Sequence, residues 1–109
     1  MKEKHIQPGI YIFASMLKVC ANTNDRIAGL RVAEDIVNEM KKAQMRPNNF
    51  TLAPCLRMHL HHRNDIRPKK WIKWMLEVRE THVNTRRLHH RNKKLVQQIL
   101  NESQYHDGM

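Results

Sequence analysis

Apolar residues recur at spacings of three and four along most of this chain. Behind Pro8-Gly9, the residues Ile10, Phe13, Ala14, Leu17 and Cys20 follow that rhythm and predict a first helix over about 10–21. Asn22-Thr23-Asn24-Asp25 breaks the pattern, and Asn24 or Asp25 can accept the free amides of a second helix. There Ile27, Leu30, Ala33, Val37 and Met40 make the apolar stripe, with Lys41-Lys42 at the negative end. Pro47 has no amide to donate and biases Arg46 away from helical angles, so the second helix stops before it.

A third helix is expected over about 52–62, with Leu52, Leu56 and Leu60 inward. A Thr51 cap puts Pro54 in its first turn, where a missing amide costs nothing. Asp65 caps a fourth helix with Pro68 in its first turn, and Trp71, Trp74, Met75 and Val78 form the next stripe. That spacing makes the tryptophans core residues rather than a ligand platform. After a short joint at Thr81-His82-Val83-Asn84, Asn84 or Thr85 caps a fifth helix running to about 104. Leu88, Leu95, Val96, Ile99 and Leu100 cover one arc of it, while Arg86, Arg87, His90, Arg91, Lys93 and Lys94 fill most of the other. The predicted fold class is all-α: stacked antiparallel helical hairpins plus a C-terminal basic helix. Composition agrees, because with only 3 Gly and 4 Pro in 109 residues the strong helix formers dominate.

Charge adds a function class. Of the net +10, residues 57–94 hold 12 Lys/Arg against 3 Asp/Glu, together with six of the eight histidines. A concentrated field of one sign faces a polyanion, and RNA, DNA and an anionic membrane are the candidates. The apolar arc of the fifth helix lacks Trp and Phe, which favours docking on protein over lying on a membrane. No apolar run is long enough to span a bilayer, so the chain is expected to be soluble, with no targeting segment visible in it. Cys20 and Cys55 have no framework spacing and read as free thiols in a reducing compartment.

Other chemistry finds less support. The pentapeptide LHHRN occurs twice, at Leu60-His61-His62-Arg63-Asn64 and Leu88-His89-His90-Arg91-Asn92, as two basic turns each beside an inward leucine. Cys55, His59 and His62 would share one helix face, but C-x3-H-x2-H matches no recognised zinc finger, so neither a metal nor another cofactor is expected. No phosphate loop, nucleophile elbow or paired carboxylates mark an enzyme acting on a small molecule, and Glu34, Asp35 and Glu39 read as a solvated helix face.

A repeat emerges when the two prolines are aligned. Gln7-Pro8-Gly9-Ile10-Tyr11-Ile12-Phe13-Ala14 matches Arg46-Pro47-Asn48-Asn49-Phe50-Thr51-Leu52-Ala53 at an offset of 39 residues. FASMLKVCANTND (Phe13 to Asp25), followed by AEDIVNEMKKAQMRPN (Ala33 to Asn48), resembles a pentatricopeptide repeat, in degenerate short form. The resemblance implies helical-hairpin units over about 8–47 and 47–80, leaving 81–109 as a basic helix and tail. It departs from the family in a longer first unit, with the excess around Asp25 to Val32, and in a second unit without the Met-to-Pro ending.

Family members of this type mostly bind single-stranded RNA. The base-reading pair carried over by alignment is Ser15 and Asn49, a combination the family uses for adenine. The equivalent first-helix position of the second unit is Pro54, which cannot hydrogen-bond a base edge, so phosphate contacts carry more of the expected binding. Arg63, Arg67, Lys69, Lys70, Lys73, Arg86, Arg87, Arg91, Lys93 and Lys94 are the residues expected to supply them. Resemblance and charge together imply a structural subunit of an organellar, mitochondrial ribosome or related assembly, with ribosomal RNA and neighbouring proteins as partners. The alternative is a helical-repeat adaptor that meets an acidic protein.

Overall fold

The computed structural model describes residues 9–107 and is all-α. Its helices are α1 (Ile10–Asn22), α2 (Arg26–Lys42), α3 (Asn49–His61), α4 (Ile66–Glu77) and α5 (His90–Asp107), with a single 3-10 turn at Thr85–Arg87 before the last. The expected opening of the first unit at Gln7-Pro8 lies outside the described residues.

The hairpin of α1 and α2 is set by a cap and a close approach. Asp25 accepts the Ala28 amide at 3.0 Å, and Gly29 sits where the helices meet. A Cβ there would lie 2.5 Å from the Cys20 carbonyl oxygen and 2.9 Å from Thr23 Cγ2. That contact decides which face of α2 turns inward. Gly29, Leu30, Ala33, Ile36, Val37 and Met40 are buried, and Ile27, expected in the stripe, is exposed instead. At the other end Met45 N donates to Met40 O at 3.0 Å and Gln44 N to Lys41 O at 3.1 Å, a Schellman closure with Gln44 at φ 56.

α3 begins earlier than expected, because Asn48 rather than Thr51 is the cap. Thr51 N donates to Asn48 Oδ1 and Asn48 N to Thr51 Oγ1, each at 3.0 Å, forming a reciprocal box. Pro54 therefore lies inside α3, where the Phe50 carbonyl loses its usual donor. α3 packs between α1 and α4, so its buried arc is wide: Thr51, Leu52, Cys55, Leu56, Met58 and His59 are all inside. Leu60, expected inward, falls at the rim and is exposed.

Asp65 caps α4 as expected, with Pro68 third in the helix. Trp71 donates its indole N–H to the Glu34 carboxylate of α2, which fixes the rotation of α4. Trp71, Ile72 and Met75 are buried, whereas Trp74 and Val78 of the expected stripe are half-buried. Lys41 Nζ lies 5.4 Å from the Trp74 ring centre.

The largest correction is at the fifth helix, which starts at His90 and not at Thr85. After α4 the chain returns past the start of α3, where His82 N donates to Pro47 O at 2.8 Å. The Asn49 side chain then grips the Asn84 backbone from both sides, donating to its oxygen at 3.0 Å and accepting from its nitrogen at 2.8 Å. Asn84 Oδ1 takes the Arg86 amide at 3.0 Å, closing the 3-10 turn. Leu88 follows in extended backbone and is buried, so helical geometry resumes only beyond it. Leu88, Leu95, Val96 and Ile99 then join the same core cluster as Leu17, Leu30, Leu56 and Trp71, with Leu100 packed at its edge.

Candidate nucleic-acid interface

α1 and α3 lie side by side as the first helices of the two hairpins. The 39-residue offset places equivalent residues in register along them: Tyr11 with Phe50, Lys18 with Arg57, Asn22 with His61. All but His61 line one open cleft of about 770 Å³. Ser15 and Asn49 line it too, and the segment from the end of the 3-10 turn into α5 adds a third wall with Arg87, Leu88, His89, Arg91 and Asn92.

The cleft's chemistry is of one kind. Among the described residues its lining holds four cations, Lys18, Arg57, Arg87 and Arg91, and no Asp or Glu. Arg57 Nη1 donates to Asn22 Oδ1 at 2.9 Å, which holds the guanidinium across the gap between the hairpins. Tyr11 and Phe50 are 67% and 64% exposed, with ring centres 6.0 Å apart and planes tilted by 54°. Exposed rings beside cations and amides can stack bases while the cations hold phosphates. Leu60 and Leu88, the leading residues of the two LHHRN segments, both border the cleft. The two pentapeptides are not structural equivalents, because the first ends α3 and the second leads into α5.

The expected site residues divide into four groups. Ser15, Asn49, Arg87 and Arg91 meet in the cleft. Lys70 and Lys73 line a separate groove on α4 with Trp74, Glu77 and Val78. Arg67 is held by Asp65, with Nε to Oδ1 at 3.0 Å and Nη2 to Oδ2 at 2.7 Å, and Lys69 pairs with Glu102 at 2.8 Å. Arg63, Arg86, Lys93 and Lys94 are exposed outside the cleft. Asn49 spends both polar atoms of its amide on Asn84, so in this state it positions the third wall rather than offering its edge to a base.

Tyr11, Phe50, Lys18 and Arg57 went unnoticed in the sequence. The signal was present, since each pair is matched by the 39-residue offset and falls off the apolar stripe of its helix.

Burial comes first among the causes that push the imidazoles of His59 and His61 below their ordinary pKa. The positive charges of Lys69 and Arg63 add to it at His59, and those of Arg26 and Arg57 at His61. Burial also pushes the Cys55 thiol well up. Cys55 and His59 are buried and His62 is the residue after α3; among the described residues no group of three or more His, Cys, Asp or Glu is placed to hold a metal ion. Among the same residues no helix is long and apolar enough to cross a membrane.

The family model of the pentatricopeptide repeat domain matches residues 1–58, which takes in α1, α2 and most of α3. No curated protein and no solved structure matches the chain.

Proposed function

This chain belongs to the pentatricopeptide repeat family, whose members are generally non-catalytic RNA-binding helical repeat proteins, and on that premise we propose that it holds single-stranded RNA in the cleft between α1 and α3 as a structural subunit of a mitochondrial ribosome or related ribonucleoprotein assembly. The observation that carries the RNA reading is the cleft lining: among the described residues, four cations, two exposed rings and no carboxylate.

In this reading Lys18, Arg57, Arg87 and Arg91 take phosphates, and Tyr11 and Phe50 stack bases. Sequence discrimination is weak, because Asn49 is engaged with Asn84 and Pro54 stands where a second base-reading side chain would be. Arg63, Lys70, Lys73, Arg86, Lys93 and Lys94 extend the positive field that draws a polyanion in. Residues 8–47 and 47–80 act as the two repeat units, and 81–109 as the basic helix and tail that supplies the third wall. The mitochondrial address and the ribosomal assembly are supported by family resemblance and charge.

The test is sedimentation of the native protein from an organelle-enriched extract, with and without ribonuclease. Comigration with large particles that collapses after nuclease is the expected result. A slow peak indifferent to nuclease contradicts the assembly reading and favours the adaptor with an acidic protein partner.

A further inference from the structure

The cleft runs out at the carbonyl ends of α1 and α3, and a second cavity of about 410 Å³ opens there. Asn22, Thr23, Asn24, Arg26, Arg57 and His61 line it, and Asn22 and Arg57 belong to both cavities. The sequence explains how three basic side chains meet at this place. His61 follows Arg57 by four residues, so the two share one face at the end of α3. Arg26 is the first residue of α2 and comes in from the tight turn after α1, where its amide donates to Asn24 O at 3.1 Å. Arg57 Nη1 is steadied by Asn22 Oδ1 at 2.9 Å, and among the described residues its remaining N–H groups are unbonded.

Nothing acidic answers this charge. Among the described residues no Asp or Glu lines the cavity and none pairs with Arg26, Arg57 or His61, whereas Lys42, Arg46, Arg67 and Lys69 each meet a carboxylate. Asp25, next to Arg26, is engaged as the cap of α2. Burial first, then the charges of Arg26 and Arg57, hold the His61 imidazole below its ordinary pKa, so the three groups act on one another. Helix ends do not balance them: the C-termini of α1 and α3 and the N-terminus of α2 together carry about half a negative charge, against two guanidiniums. A phosphodiester within an RNA strand brings one charge and two free oxygens. A phosphate at the end of a strand brings nearly two charges and three free oxygens, which match two guanidiniums, the Thr23 hydroxyl and the Asn24 side-chain amide. Its second charge also favours the protonated form of His61, which then adds a third cation.

We propose that this cavity holds the terminal phosphate of an RNA strand lying in the cleft, so that Arg26, Arg57 and His61 select a strand end carrying a phosphomonoester over one carrying a hydroxyl. The inference rests on the RNA reading and adds to it a preference for one class of RNA end.

Calorimetric titration of the full chain tests it, with one short unlabelled single-stranded RNA prepared in three forms: 5′-phosphate, 3′-phosphate, and hydroxyl at both ends. One phosphorylated form is expected to bind about ten-fold more tightly than the hydroxyl form, and which one does so fixes the direction of the strand in the cleft. Arg26 lies outside the cleft lining, so Arg26→Gln should abolish that preference and leave the affinity for the hydroxyl form unchanged, with Arg26→Lys keeping part of it. Lys94→Gln, which removes a cation elsewhere, should keep the preference whole. Equal binding of all three forms overturns the proposal and leaves the RNA reading standing, whereas no binding of any form overturns both. A preference that survives Arg26→Gln, or that Lys94→Gln removes as well, also overturns it. So does inorganic phosphate binding as tightly as the phosphorylated RNA, which would mark a site for free phosphate.

Discussion

His59 lies buried in α3 with its Nδ1 unpartnered, and burial, Lys69 and Arg63 all disfavour its protonated form. The unfolded chain protonates this imidazole at its ordinary value, about 6.5, while the folded chain resists until lower pH. The stability it contributes is therefore complete above about pH 6.5 and declines as pH falls from there toward the folded value. Melting followed by circular dichroism between about pH 7.5 and 5.5 should show that decline, and His59→Gln should flatten it. Asp65 gives a second, more acidic step, because the Arg67 guanidinium holds its carboxyl down to about 2. Its contribution is present above the ordinary carboxylate value of about 3.9 and is lost as pH falls below it. Gly29 tests the core of the first hairpin: with backbone 2.5 Å from an added Cβ, Gly29→Ala should destabilise by about 1–3 kcal/mol despite the better helix propensity of alanine, read as a lower denaturation midpoint.

At the scale of elements, caps written locally were legible and caps set from a distance were not. Asp25 and Asp65 sit directly before their helices; Asp65 was read from residue type and position, and Asp25 was one of two candidates beside Asn24. The start of α5 depends on Asn49 holding Asn84 across 35 residues, a contact no local pattern reveals. Ile27 was misplaced because a glycine contact rotates α2, and Leu60 because α3 turns Cys55, Leu56, Met58 and His59 inward and leaves Leu60 on the open cleft. Asn49→Ala should free the clasp and speed amide exchange over residues 84–89. If Asn49 acts by positioning the third wall, that substitution lowers RNA affinity alike for all sequences; a changed base preference would show that it reads a base instead. Gln44, held at φ 56 in the closure after α2, should stabilise the protein by about 1 kcal/mol when replaced by glycine, seen as a higher denaturation midpoint.

Over the whole molecule, the all-α stack and the segregation of charge followed directly from periodicity and composition. The cleft did not, because it forms from three segments: α1, α3 and the run from Arg87 to Asn92. Only packing shows that Lys18 and Arg57 face Arg87 and Arg91 while Arg67 and Lys69 are paired with carboxylates. Two hairpins and a closing helix bury a modest core, so a bound polyanion should raise the melting temperature by mass action. The most direct measurement is a titration of short single-stranded RNA by fluorescence anisotropy across a salt series, comparing the parent with the Arg57→Gln, Arg87→Gln, Arg91→Gln triple variant. Each lost phosphate contact removes about 0.7 from the slope of log affinity against log salt, so the triple variant should bind more weakly with a slope smaller by about 2. Unchanged affinity and slope in the triple variant would contradict the account, for RNA would then be held somewhere other than this cleft.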